Sequence, residues 1–266
     1  MAIKSALINV MFNAAEKASR RMMRDFGEVE NLQVSRKGAA DFVSQADLNA
    51  EEILREELSK ARPGWNFLME EGGQVIEDKD APTWIIDPID GTTNFLHGIP
   101  HFAISVAVRQ NNKLTAGIVF DPCRNELFHA DQGSGAYVNG RRLRVSGRRH
   151  MSDSLFATGI PFLGRGTEET DAKFQAELNS VAKASAGVRR FGSAALDLAW
   201  VAAGRYDGFW ERGLSPWDIA AGIVLVREAG GFVSDFAARD KAYESGDVVA
   251  SNAALHVPLL KALRNA

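Results

Sequence analysis

Residues 84 to 95 read Trp-Ile-Ile-Asp-Pro-Ile-Asp-Gly-Thr-Thr-Asn-Phe, and no other stretch constrains this chain as much. Trp84, Ile85 and Ile86 form a short apolar run of the kind that fills a buried strand. Asp87-Pro88 is predicted to end that strand. A residue before proline is pushed out of helix, and proline has no donor for a ladder. Gly91-Thr92-Thr93 then reads as a tight turn opening a short helix. Two acids at a strand end, beside exposed backbone N–H groups, suit a hard cation together with a phosphate. A turn at the surface would also tolerate both.

The rest of the chain sets the frame for that segment. With 266 residues, 45 % of them apolar and 24 % charged, it is long enough for a well-buried core. A formal net charge of −3 excludes strong global attraction to nucleic acid. Arg141, Arg142, Arg144, Arg148 and Arg149 form a local basic patch, which reads first as a solvated loop. Cys123 is the only cysteine, so no intrachain disulfide forms, and nothing around it marks a nucleophile. Lys4, Asn9, Asn13 and Glu16 interrupt the N-terminal apolar stretch, unlike a signal peptide. No run reaches the roughly 18 apolar residues of a membrane span, so a cytoplasmic location is expected.

Apolar spacing predicts a helix over 4–26, stopped by Gly27. Lys37 to Asp41 reads as a polar loop. Ser44-Gln45-Ala46-Asp47 resembles a capping box for a second helix, which runs to about Lys60 and ends at Pro63-Gly64. Strands follow at 66–69, 102–109, 114–120 and 126–130, with Asn111-Asn112 as a hairpin turn. Gly133-Ser134-Gly135 and Asn139-Gly140 read as further turns, not as a nucleotide-binding loop. From about residue 152, strands alternate with helices, which implies a largely parallel sheet. One compact unit, 1–266, is expected, with halves at 1–150 and 151–266.

Four groups of acids stand out: Glu70-Glu71, Asp87 with Asp90, Asp218 in the first turn of an apolar helix, and Asp41 with Asp47. Each has a plainer reading. Glu70-Glu71 fits a loop, Asp218 fits a helix-dipole partner, and Asp47 fits a cap. If Glu70, Asp87, Asp90 and Asp218 converge, their charges need protonation, arginine partners or a divalent metal. Oxygen-only ligands select Mg²⁺ or Mn²⁺ over Zn²⁺. The five histidines are scattered and read as surface or packing residues.

Asp87-Pro88-Ile89-Asp90-Gly91-Thr92-Thr93-Asn94-Phe95 closely resembles the first signature of the inositol monophosphatases. Trp217-Asp218-Ile219-Ala220-Ala221-Gly222 is similar to the second. Met69-Glu70-Glu71-Gly72, Lys37 and the segment from Asp41 to Asp47 fall in the family's order, so the likeness covers nearly the whole chain. It departs at Gly38, where a serine often follows the loop lysine, and at Pro216, which replaces a more variable residue.

The resemblance implies a mixed α+β and α/β fold: a layered α-β-α-β-α sandwich with an antiparallel N-terminal sheet and a mainly parallel C-terminal one. It implies a homodimer, inhibition by lithium, and Mg²⁺-dependent hydrolysis of a small phosphorylated polyol. Carried over, Glu70, Asp87 and the carbonyl of Ile89 would hold one Mg²⁺. Asp87, Asp90 and Asp218 would hold a second, and Glu70 with water a third, weaker one. Thr92, backed by Asp47, would orient and deprotonate the attacking water, with Glu70 also among the catalytic groups. N–H groups of Gly91, Thr92 and Thr93 would hold phosphate. Glu211, Gly192, Ser193, Ala194 and Asp218 would meet the sugar. Lys37, Asp41 and Glu71 would stand behind these.

The expected substrate is inositol 1-phosphate. Relatives act by the same chemistry on fructose 1,6-bisphosphate, adenosine 3′,5′-bisphosphate or histidinol phosphate. Thr93 favours the inositol branch, because the nucleotide and histidinol branches typically carry Lys there. Bacterial relatives also act as partners of the transcription machinery, and the arginine patch is the one feature that would serve such a role.

Overall fold

The computed structural model describes residues 5–28, 34–38, 41–160 and 167–266, without the side chains of 34–43. Helix α1 (Ala6–Phe26) is capped by the Ser5 side chain and ends at Gly27, as its apolar spacing predicts. Strands β1 (Val34–Gly38) and β2 (Asp41–Ser44) pair antiparallel, so the expected polar loop is largely a hairpin. Ser44 and Asp47 complete the capping box of α2 (Gln45–Ala61).

Strands β3 (Asn66–Met69), β4 (Gly73–Val75) and β5 (Thr83–Asp90) follow, then the short α3 (Thr92–Leu96). Next come β6 (Ala103–Gln110), β7 (Lys113–Asp121), β8 (Glu126–Asp131), β9 (Gly135–Val138) and β10 (Arg141–Arg142). Together β3 to β10 make an eight-stranded sheet in the order β10-β9-β8-β7-β6-β5-β3-β4. It is antiparallel except where β3 runs parallel to β5. Asn111 and Asn112 both take positive φ (51° and 60°) between β6 and β7, the geometry that a two-residue hairpin turn demands.

The second half contains β11 (Leu155–Thr158), α4 (Glu168–Ala184), β12 (Gly187–Arg189), α5 (Ala194–Ala202) and β13 (Gly208–Glu211). It continues with α6 (Pro216–Glu228), β14 (Phe232–Ser234), α7 (Ala242–Ser245), β15 (Val248–Ser251) and α8 (Ala253–Arg264). Its five strands run β12-β11-β13-β15-β14. This sheet corrects the expectation of a mainly parallel one. β11 is parallel to both neighbours, but β15 is antiparallel to β13 and β14. The physical reason is the connection: residues 235–247 between β14 and β15 carry only the four-residue α7, with no crossover helix of the kind that usually returns a chain for parallel pairing.

The layers are α1 and α2, the large sheet, α5 and α6, the small sheet, then α4 and α8. Strand β6 shows how sequence sets them. Ile104, Val106 and Val108 face the cluster under α1 and α2, while Ala103 and Ala107 face the cluster around α5 and α6. Small residues on that second face let α6 come close. A Cβ on Gly117 of β7 would lie 2.8 Å from the Cα of Ala221. Helix α6 is apolar on all sides from Ile219 to Val226 because packed layers surround it. Each fully buried large side chain here, such as Trp84 or Phe128, contributes on the order of 1.5–3 kcal/mol.

Strand β5 supplies the second correction. Asp87-Pro88 does not end it. The strand runs on to Asp90, and its register against β6 slips: Asp87 pairs with Ser105 and Asp90 with Ala103. Three steps along β5 thus match two along β6, which is a bulge. Pro88 sits inside it, where a missing N–H breaks no ladder bond.

Candidate active site

In a regular strand, side chains three residues apart point to opposite faces. The bulge turns Asp87 and Asp90 to the same cavity, of about 220 Å³. Glu70 reaches it from the end of β3, Asp218 from the first turn of α6 and Glu211 from the end of β13. Ile89, Gly91, Thr92, Thr93, Gly192, Ser193 and Ala194 complete most of the predicted lining. Residues from distant parts of the chain therefore meet at one place, where β5, α5 and α6 converge.

Asp87 is 2 % exposed and Asp90 9 %. Burial pushes the Asp87 carboxyl well above the usual range, and the negative charges of Glu70, Asp90 and Asp218 push it further. Glu70 stands within hydrogen-bonding reach of it. Burial lifts Asp90 to about 6, against the pull of donors around it. The Ser193 hydroxyl donates to Asp90 Oδ2 at 2.5 Å and the Ala195 amide at 2.7 Å, so the carboxylate seats on the start of α5. Asp218 rises to about 8 through burial and then Asp90, although the Ser215 amide donates to its Oδ2 at 2.7 Å. Glu211 rises to about 8 for the same two reasons.

Asp47 has two jobs. Its Oδ2 accepts from the Ser44 amide (2.9 Å) and hydroxyl (2.5 Å), which holds the start of α2. Its Oδ1 faces Thr92, whose hydroxyl lies 3.2 Å away and 3.0 Å from the Ile89 carbonyl. With its proton directed to these acceptors, the Thr92 oxygen keeps lone pairs for a water. Burial raises the Asp47 carboxyl. Gly91, just before α3, has φ 101°, a conformation that favours glycine.

Glu71 does not line the cavity. Its amide donates to Glu51 Oε2 at 2.9 Å, which ties the Glu70-Glu71 segment to α2. Lys37 and Asp41 lie on β1 and β2, and their side chains fall outside the described residues. Five lining residues escaped the sequence reading: Gly159, Ile160, Arg190, Asp197 and Leu214. Asp197 left a signal, an acid inside the apolar run Ala-Ala-Leu-Asp-Leu-Ala. Asn94 was quoted only as part of a motif. Its side-chain amide donates to the His101 carbonyl (2.8 Å) and the Phe191 carbonyl (2.7 Å), which pins α3 to the turn before α5.

Among the described residues, no three acids or imidazoles close into a finished cation cage. The donor chemistry nevertheless fits hard divalent ions. The lining offers carboxylates and a backbone carbonyl, with no thiol or imidazole. Among the described residues, no ion pair neutralises Asp87, Asp90 or Asp218.

Comparison with known proteins bears on the chain as a whole. The inositol monophosphatase family model matches residues 4–266. An inositol-1-monophosphatase of Mesorhizobium japonicum is 55 % identical, over 98 % of this chain and 97 % of that protein. The Nus factor SuhB of Escherichia coli K12 is 42 % identical, over 97 % and 96 %. The crystal structure of the extragenic suppressor protein suhB from Bartonella henselae superimposes with a TM-score of 0.94 at 52 % identity, covering 98 % of this chain and 99 % of that one. The chain belongs to the inositol monophosphatase family.

Proposed function

We propose that this protein hydrolyses inositol 1-phosphate to inositol and phosphate, with Mg²⁺ as cofactor and water as nucleophile. The observation that carries the reading is the convergence of four carboxyl side chains, Glu70, Asp87, Asp90 and Asp218, on one cavity, where the other three all raise the Asp87 carboxyl. The name of the relatives at 50–55 % identity supports the substrate. A paired divalent site supplies charge neutralisation for the phosphate and a more acidic water.

Glu70, Asp87, the Ile89 carbonyl, Asp90 and Asp218 would hold these ions. Thr92, held by Asp47, orients the attacking water and passes its proton toward the Asp47 carboxylate. Amides of Gly91, Thr92 and Thr93 face the phosphate oxygens. Glu211, with Gly192, Ser193 and Ala194, accepts or donates hydrogen bonds to the ring hydroxyls. The protein mainly positions and screens charge, as phosphoryl transfer requires. A homodimer, inhibition by lithium and a cytoplasmic location belong to the same reading and rest on the family. Among the described residues, no helix is long and apolar enough to cross a membrane.

The test is phosphate release from inositol 1-phosphate, fructose 1,6-bisphosphate, adenosine 3′,5′-bisphosphate and histidinol phosphate, with and without millimolar Mg²⁺. The inositol ester should give the highest kcat/KM, and Asp87→Asn should lower it by about 10³-fold or more. Full activity in that variant, or no release with metal, would defeat the proposal.

A second role is supported by relatives named Nus factor SuhB. Arg141, Arg142, Arg144, Arg148 and Arg149 are all exposed, on β10 and the segment after it, and only Arg148 of these is paired in the described set, to Asp207 at 3.4 Å. The patch would contact the transcription machinery. Recovery of transcription factors from extract, unchanged after all five are made Glu, would remove it.

A further inference from the structure

Asp197 is the one acid of the cavity wall that the reading above leaves without work. It lies one turn into α5, 1 % exposed, in a helix whose other first-turn side chains are apolar. Its Oδ1 is buried without a hydrogen-bond partner. The side chain nevertheless borders the same cavity as Ser193 and Glu211.

The plain reading makes Asp197 a partner of the helix dipole. The hydrogen bonds argue otherwise. The Ala195 amide donates to Asp90 and the Leu196 amide to the Ser193 hydroxyl. The backbone donors of this helix start are therefore met by other residues, and Asp197 caps none of them. Nor is it neutralised by contact. Arg190 is the cation that acts on it, and that influence is outweighed by burial, Glu211 and Asp90. An unpaired buried carboxyl is destabilising, and an apolar residue of the same size would remove that cost. Its presence at this position calls for a partner that enters the cavity.

Helical spacing identifies the direction. Ser193 and Asp197 are four residues apart, and the Asp197 amide donates to the Ser193 carbonyl at 2.9 Å. Residues so spaced share one face of a helix. Asp197 thus continues the wall formed by Ser193 and Ala194, and Glu211 is its strongest acidic influence. This is the wall assigned above to the ring hydroxyls.

We propose that Asp197 is a further substrate-specificity residue, accepting a hydrogen bond from a hydroxyl of the leaving polyol beside the one met by Glu211. The role holds in either protonation form, since each keeps an acceptor oxygen. It rests on the polyol-phosphatase reading and deepens it. A site built around a substrate hydroxyl rejects analogues that lack one, because its own polar group is then left unpaired.

The experiment compares wild type, Asp197→Leu and Asp197→Asn on inositol 1-phosphate and on 4-nitrophenyl phosphate, an ester with no ring hydroxyls, at saturating Mg²⁺. Asp197→Leu should lower kcat/KM for the inositol ester about 10- to 100-fold, chiefly through KM, and leave the aryl ester within about twofold. Asp197→Asn, which keeps an acceptor, should restore most of the inositol activity. Its melting temperature, and that of the Leu variant, should equal or exceed that of wild type. Equal losses on both esters, or no loss on either, would overturn the role of Asp197 while leaving the wild-type activity intact. Failure of wild type to hydrolyse the inositol ester would instead overturn the reading on which it rests.

Discussion

Gly159 and Glu211 are in direct apposition: a Cβ on Gly159 would fall 1.8 Å from Glu211 Oε1. The Gly159 amide also donates to the Glu211 carboxylate. The missing side chain is thus what lets Glu211 lie against β11 and face the cavity. Gly159→Ala should displace that carboxylate without unfolding the chain. The expected result is a KM for the polyol ester raised about tenfold, with a melting temperature within about 2 °C of wild type. Steady-state kinetics with a thermal scan checks both.

The crowded acids predict how stability depends on pH without metal. Folding lifts Asp90 to about 6 and Asp218 and Glu211 to about 8, with Asp87 also raised. The folded state then holds protons that the unfolded chain has released. Their contribution is complete below the ordinary carboxylate range and is lost as pH rises through these values. The metal-free protein should melt at steadily lower temperature from about pH 5 to pH 8.5. Mg²⁺ competes with those protons, so the increase in melting temperature from a fixed Mg²⁺ concentration should grow over the same interval. Scans with EDTA and with Mg²⁺ at several pH values test the sign.

Gly117 predicts a purely structural effect. The atom nearest to an added Cβ is the Cα of Ala221, 2.8 Å away, and backbone cannot swing aside as a long side chain can. Gly117→Ala should push α6 off β7 and destabilise by about 1–3 kcal/mol. That corresponds to a fall of roughly 2–12 °C in melting temperature. Because α6 carries Asp218, Mg²⁺ affinity should weaken too, which calorimetry would detect.

Glu177 gives the reverse case, a buried charge with partners. It is 1 % exposed on α4 and accepts from Arg212 Nη2 at 2.5 Å, while Arg212 also reaches Asp247 at 3.5 Å. Arg212→Met would strand that carboxylate, at a loss of about 3 kcal/mol. Replacing both residues, Glu177→Leu with Arg212→Met, should recover most of the loss. A double-mutant cycle by denaturant unfolding measures it.

Which features were readable beforehand follows from how local their causes are. The capping box at Ser44 to Asp47 and the Asn111-Asn112 turn depend on a few adjacent residues, and both stand where the pattern puts them. The bulge at Pro88 does not. Proline signals a break in a strand but does not distinguish an end from an insertion, since the difference lies in the pairing with β6. The orientation of β15 escaped for a similar reason, because it depends on what the intervening chain spans. Within the site, the acids of the two signatures were legible as a group. Asp197 and Gly159 were not singled out, as their meaning lies in what folds against them: the cavity wall for one, Glu211 for the other.

The divided carboxylate of Asp47 has a consequence of its own. One oxygen secures the first turn of α2 and the other steadies Thr92, so fraying at that helix end and misalignment of the threonine hydroxyl are a single event. Gentle heating or dilute urea will therefore silence turnover while the bulk of the molecule is still intact.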